Sequence, residues 1–540
     1  MKSRLLLLVP LFIFSCSQKQ QVDLIVTNAN VYTVDAEFSK ASSFAVLDGE
    51  FVEIGTDDEI LNNFVSESII DAEGKTIVPG LIDAHCHFLR LGQDQATVDL
   101  MGTESYEEVL EKIITYQEKY NTDFIQGRGW DQNDWPEKTF PNKRKLDSLF
   151  PNTPISLTRV DGHAILCNQA ALDLGKVTSA SKVDGGEVVL EDGKPSGVLI
   201  DNAENLVMKY WPKSSVNERI IALKAAEDIC LSYGLTTVND AGLATAEIAT
   251  IDSLQTNEDL KIRVYAMVSA SKENVDHWLN RGFLKTDRLN VRSFKFYADG
   301  ALGSRGAMLR APYSDKPDHY GLMVTALDEF EAAAERIAAS EFQMNTHAIG
   351  DSANHSVLNI YGKVLNNRKD RRWKIEHAQV ISPEDFAKFD NILPSVQPTH
   401  ATSDMYWAGL RLGSNRVKGA YAFKQLLDMY GKVALGTDFP VEYVSPFYTF
   451  YAAVARKDLK QYPEGGFQPE NGLTREETLK GMTIWAAYSN FEENEKGSIE
   501  AGKMADFVIL EDDIMTMNID DVPNLKVQST YIAGEKLFSK

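Results

Sequence analysis

From residue 76 onward, short runs dense in Val, Ile, Leu and Phe are separated by longer stretches whose apolar residues recur at helical spacing. Continuous apolar runs of this length read as strands buried on both faces. They fall at Thr76–Asp83, Thr236–Asp240, Ile262–Val268, Arg292–Ala298, Phe342–His347, Trp373–His377, Ile392–Gln397 and Val433–Asp438. Amphipathic patterns such as Val216–Ser232 and Asp328–Ser340 lie between them. Strand–helix alternation predicts a parallel sheet, and eight such units predict its closure into a distorted (β/α)8 (TIM) barrel.

The two ends of the chain follow another pattern. Asp23–Val26, Ser43–Leu47 and Phe51–Gly55 are short strand-like segments, with Asp48-Gly49 as a hairpin turn. Ala505–Leu510 and Val527–Ile532 look alike near the other end. Residues 16–78 and 497–540 are therefore expected to form one small β-sandwich domain, with the barrel at 79–496. About 120 residues, roughly 90–211, separate the first two barrel strands, far more than a βα connection needs. Their aromatic content predicts a folded insertion over the barrel mouth.

Composition narrows the partners. The chain has 540 residues, 44% of them apolar, which is ample for more than one core. Its formal charge of −23 disfavours nucleic acid and anionic membrane surfaces. Lys2 and Arg4 precede an apolar run, Leu5–Phe14, too short to span a membrane. Ser15-Cys16 and a polar tether follow, which resembles a bacterial lipoprotein signal. Cleavage after residue 15 would leave a lipid on Cys16 and place the protein outside the cytoplasm, on the periplasmic or cell-surface side. That anchor is the one membrane contact expected. Cys86, Cys167 and Cys230 remain, an odd number that argues for buried thiols over a disulfide framework.

The candidate chemistry sits at strand ends. His85 and His87 are two apart, so a strand turns both imidazoles to one face. His347, His377 and Asp438 each close a later run. Histidines and a carboxylate converging at the ends of barrel strands point to a hydrolase that activates water on a divalent metal.

At this point a family is recognisable. The segments that carry the likeness are Pro79–His87, Asp161-Gly162-His163, Phe294–Arg305, Thr346–Asp351, Ile375–Gln379 and Gly436–Pro440, with Gly497–Val508 at the return to the small domain. The chain resembles the amidohydrolase superfamily, specifically family 3, the N-substituted formamide deformylase-like metal-dependent hydrolases. The resemblance implies that His85 and His87 hold one metal and that His347 and His377 hold a second. Lys295 would bridge the two once carboxylated, since a free ammonium cannot ligate a cation. Failing that, it would pair with an acid such as Asp299, and the site would hold one ion. Zinc is the first expectation, although His and carboxylate ligands also suit manganese, iron or cobalt.

The same resemblance makes Asp438 a metal ligand and the proton carrier, and brings His163 in as an oxyanion or substrate contact. Arg305 is expected either to grip a substrate carboxylate or to tie down its loop. Trp130 would supply an aromatic wall, and His400 a substrate contact. The expected reaction is hydrolysis of a non-peptide carbon–nitrogen bond in a small molecule, such as a linear amide. Ester, lactone or cyclic-amide hydrolysis by the same machinery, or a ligand-binding lipoprotein without turnover, are the rivals.

Overall fold

The computed structural model describes residues 19–366 and 368–540; the signal segment and Cys16 lie outside them. The barrel strands are β1 (Leu81–Cys86), β2 (Leu235–Leu243), β3 (Arg263–Ser269), β4 (Leu289–Tyr297), β5 (Gln343–Ala348), β6 (Lys374–His377), β7 (Leu393–Val396) and β8 (Ala434–Leu435). They pair in parallel in chain order. The ring closes just beyond β8, where the Asp438 amide donates to the His85 carbonyl and the His87 amide to the Phe439 carbonyl, both at 2.8 Å.

Alternation along each strand sets what enters the barrel. In β4, Phe294 and Phe296 pack outward against the helices while Lys295 turns inward. In β1, Ala84 and Cys86 are buried outward on either side of His85. The expected run Thr76–Asp83 is in fact two strands. Thr76–Pro79 pairs antiparallel with Phe507–Leu510 in the small domain, and the barrel strand starts at Leu81. Gly80 is the joint: a Cβ there would stand 2.2 Å from the Thr236 hydroxyl, so only glycine lets the chain pass between the two sheets.

The small domain is a sandwich of a four-stranded and a six-stranded sheet drawn from both ends of the chain. Phe44, Phe51, Phe507 and Tyr531 fill it, with Phe507 and Tyr531 stacked at 4.3 Å. The buried Arg263–Asp506 ion pair (2.7 Å) ties this domain to the start of β3.

Between β1 and β2 lies a separate six-stranded sheet, Val98–Asp99 through Lys194–Asp201, with its own apolar core. Trp130 belongs to that core. It is fully buried and its indole nitrogen donates to the Leu157 carbonyl at 2.8 Å. The expected aromatic wall at Trp130 is therefore not there, because the ring is consumed in supporting the insertion. Cys86, Cys167 and Cys230 are free, buried thiols.

Candidate metal centre

Six of the nine histidines gather at the barrel mouth. His85 Nε2 and His87 Nε2 stand 3.6 and 3.2 Å from Asp438 Oδ1. His377 lies between His85 and His347, with ring centroids 4.9 and 4.6 Å away. Lys295 Nζ is 3.2 Å from His85 Nε2. Asp299, considered above as a partner for Lys295, instead accepts backbone amides from Met308, Ile349 and Gly350.

The strand ends are braced for this convergence. Asp83 accepts the Thr437 amide (3.1 Å) and hydroxyl (2.7 Å) and the His85 amide (3.1 Å), locking β1 to the loop after β8. A Cβ on Gly436 would stand 2.5 Å from the His85 nitrogen, so this packing needs glycine. His377 and Asp438 have φ of 73° and 64°. Side chains rarely adopt that left-handed region, and here it turns each group into the mouth.

Two of the imidazoles have orienting partners. His85 Nδ1 meets Glu376 Oε2 at 2.6 Å, and His377 Nδ1 meets Gln397 Oε1 at 2.7 Å. Burial keeps His347 and His377 neutral, well below their ordinary range, and brings His85 to about 4. Burial alone would raise the Asp438 carboxyl, but the hydrogen bond from His400 and the other nearby imidazoles hold it well below the usual range. Neutral imidazoles around an ionised carboxylate are the donor set a divalent cation requires. Asp438 Oδ1 is also buried without a hydrogen-bond partner, an unmet charge that a cation would satisfy. His85, His87 and Asp438 each offer a ligand atom within 4.8 Å of the others, so this set fits.

His377, His400 and Asp438 form a second group of the same size. Both nitrogens of His400 already face carboxylates, Asp438 at 3.3 Å and Glu442 at 3.0 Å. Despite burial these raise His400 well above its usual range, and an imidazolium donates to Asp438 rather than binding a cation. His400 sits on the short helix after β7, Pro398–Asp404, not at the end of the strand itself.

Above the centre is a cavity of about 390 Å³, roofed by the insertion. His163 descends from the insertion to within 4.8 Å of the His347 ring. Its Nδ1 meets Asp201 at 2.7 Å, and that pairing outweighs burial and raises the imidazole to about 9. Buried Arg159 lines the same wall, gripped by Asp131 and by Asp161 at 2.6 Å. Arg305 is elsewhere: it pairs with Asp315 at 2.9 Å and takes no part in the cavity wall, so of its two expected roles the structure shows the loop-tying one.

Asp201, Glu442, Gln397 and Arg159 were not singled out by sequence. Arg159 had a signal, two residues before Asp161-Gly162-His163. Gln397 had one too, as the polar residue closing the run Ile392–Gln397, whereas Asp201 and Glu442 gain their places only through contacts distant in the chain.

Comparison with known proteins agrees with this geometry. The pattern of the Amidohydrolase family matches residues 68–538. Protein LONG AFTER FAR-RED 3 of Arabidopsis thaliana is 33% identical over 96% of this chain and 91% of its own length. N-substituted formamide deformylase of Arthrobacter pascens is 26% identical over 95% and 98%. An uncharacterized metal-dependent hydrolase from Pyrococcus furiosus superposes with a TM-score of 0.72 at 26% identity, covering 91% of this chain and all of its own. The chain belongs to the amidohydrolase family and is a hydrolytic enzyme.

Proposed function

We propose that the enzyme hydrolyses a carbon–nitrogen bond other than a peptide bond, in a linear amide of a small molecule. The observation that carries this reading is Asp438 Oδ1, ionised, buried and without a hydrogen-bond partner, with the His87 and His85 imidazoles at 3.2 and 3.6 Å. His85, His87 and Asp438 would hold a divalent cation, zinc first among the choices, with His347 and His377 placed for a second. Such an ion supplies Lewis acidity, polarising a carbonyl and making water acidic enough to attack at neutral pH.

The remaining work falls to the chain. Asp438 accepts the proton of the attacking water and returns it to the departing nitrogen, which cannot leave as an amide anion. His400, backed by Glu442, donates to Asp438 Oδ2 and keeps it aimed. His163, held protonated by Asp201, donates from the roof toward negative charge developing on the carbonyl oxygen. The roof also excludes bulk water, which strengthens each of these interactions.

Lys295 is proposed to carry a carbamate. Burial, helped by Lys374 and opposed by Glu376 and Asp438, lowers its amine from 10.5 to about 8, so far more of it than of an ordinary lysine is neutral at pH 7 and able to add carbon dioxide. Export and a lipid on Cys16 are part of the same reading and rest on Lys2, Arg4 and the Leu5–Phe14 run.

The test is formate release from N-alkylformamides and from matched formate esters, using protein purified without residues 1–16 and loaded with zinc, manganese or cobalt. The expected result is amide turnover that falls by about 10²-fold or more in Asp438→Asn. Ester turnover without amide turnover in every metal would refute the amide assignment, and an unaffected Asp438→Asn would refute the proton role.

A further inference from the structure

We propose that Asp404 and the cavity wall around it form a subsite for a cationic group of the substrate. This deepens the proposed hydrolase reading and rests on it for the position of the scissile bond.

The subsite is one helical turn from the chemistry. His400 and Asp404 are four residues apart on the helix Pro398–Asp404, so they share a face. Both line the cavity. His400 turns to Asp438 at 3.3 Å, and Asp404, four residues on, stands about 6 Å further along the helix.

Its carboxylate is fixed and has charge to spare. Oδ2 accepts the Tyr421 hydroxyl at 2.8 Å and the Gln379 amide at 3.2 Å, and both donors are buried. Among the described residues no hydrogen bond engages Oδ1 and no Lys or Arg pairs with Asp404. Most of the other charges of the wall are committed. Asp131 and Asp161 hold Arg159, Glu442 holds His400, and Lys457 is drawn to Asp520 at 3.3 Å. Asp134 and Asp458 add carboxylates that no Lys or Arg pairs with among the described residues, while Lys460 is exposed at the rim.

A separate observation also calls for a ligand. Thr399 is 8% exposed and lines the same cavity, yet its hydroxyl has no partner. Trp407 and Tyr406 bring aromatic rings to this wall, and the face of each not taken by Arg411 or Tyr462 attracts cations. Burial, reinforced by Glu442 and Asp131 against His400, pushes the Asp404 carboxyl up to about 7, and a cation beside it would hold it ionised. The substrate class that fits is an N-acyl amine with a second nitrogen, protonated, a few methylenes from the amide.

Two measurements on the metal-loaded full chain test this. The first compares kcat/KM for N-formylputrescine, whose far nitrogen is charged, with N-formylpentylamine, its uncharged isostere. The second measures calorimetric binding of butylguanidinium, which stays protonated and has no lone pair to offer a metal. The expected preference for the charged formamide is about tenfold or more, the scale of a hydrogen bond to a charged group. Asp404→Asn, with its fold checked by circular dichroism, should bring the two rates together and weaken butylguanidinium binding by about tenfold.

Equal rates for the two formamides with the unmodified enzyme, a comparison that needs no variant, would overturn the subsite and leave the hydrolase reading standing. Butylguanidinium binding unchanged in Asp404→Asn would overturn it too. If neither formamide is cut but butylguanidinium binds and Asp404→Asn weakens it, the formamide assignment fails and the subsite is upheld.

Discussion

Glu376 is the most informative residue to perturb, because one carboxylate serves two buried neighbours. Lys374 and Glu376 are two apart on β6, so both face the barrel interior, and both are fully buried. Oε2 lies 2.6 Å from His85 Nδ1 and Oε1 lies 3.2 Å from Lys374 Nζ. Lys374 and His85 overcome the cost of burial and hold the carboxyl well below its usual range. Glu376→Gln leaves one oxygen where there were two, so either His85 or Lys374 must face an amide NH2. An unpaired buried Lys374 costs about 3–5 kcal/mol. A His85 without its carboxylate is a less basic ligand, and losing such a partner weakens metal binding by about 10–100-fold, or about 1.4–2.8 kcal/mol.

A second variant separates the two effects. Lys374→Met combined with Glu376→Gln removes both charges, which for a buried pair is close to neutral in stability. Urea unfolding should therefore show the double variant recovering most of what the single one lost. Zinc affinity, measured by competition with a chromophoric chelator, should stay low in both. Wild-type zinc affinity in both variants would refute the dependence of His85 on the Glu376 carboxylate.

Three further outcomes are expected. Glu492 is 2% exposed and accepts Lys285 at 2.5 Å and Lys496 at 2.7 Å, and these ammoniums outweigh burial to lower its carboxyl from 4.5 to about 2. A depressed carboxyl stabilises fully above about pH 4.5 and loses that contribution as pH falls toward 2, a span of about 3 kcal/mol. Glu492→Gln should thus be less stable at neutral pH and flatter in urea unfolding across the acid range; an unchanged acid limb contradicts the pairing. Gly436→Ala would force its Cβ against the His85 amide at 2.5 Å, part β1 from the Asp438 loop and cut turnover by about 10²-fold, as kcat/KM will report. Cys16→Ser should shift the expressed protein from the membrane to the soluble fraction, and continued membrane association would remove the lipid proposal.

What could be read from sequence, and what could not, divides along the physics of each signal. Buried parallel strands are apolar on both faces, so the polar residue ending such a run stands out, and His347, His377 and Asp438 were visible for that reason. His85 and His87 add a two-residue spacing that only a strand turns to one side. The break at Gly80 was hidden because Thr76–Pro79 and Leu81–Cys86 are both apolar, and only the approach of Thr236 separates them. Trp130 misled because an aromatic between polar residues looks the same whether it faces a cavity or, as here, fills an insertion core. Asp201, Glu442 and Asp404 carry no local pattern, since each becomes functional only through a partner brought by tertiary folding: His163 from 38 residues away, His400 from 42, and Tyr421 from 17. Motif and periodicity therefore locate the reacting centre, while the residues that orient it, and those that would select its substrate, are a property of the assembled cavity.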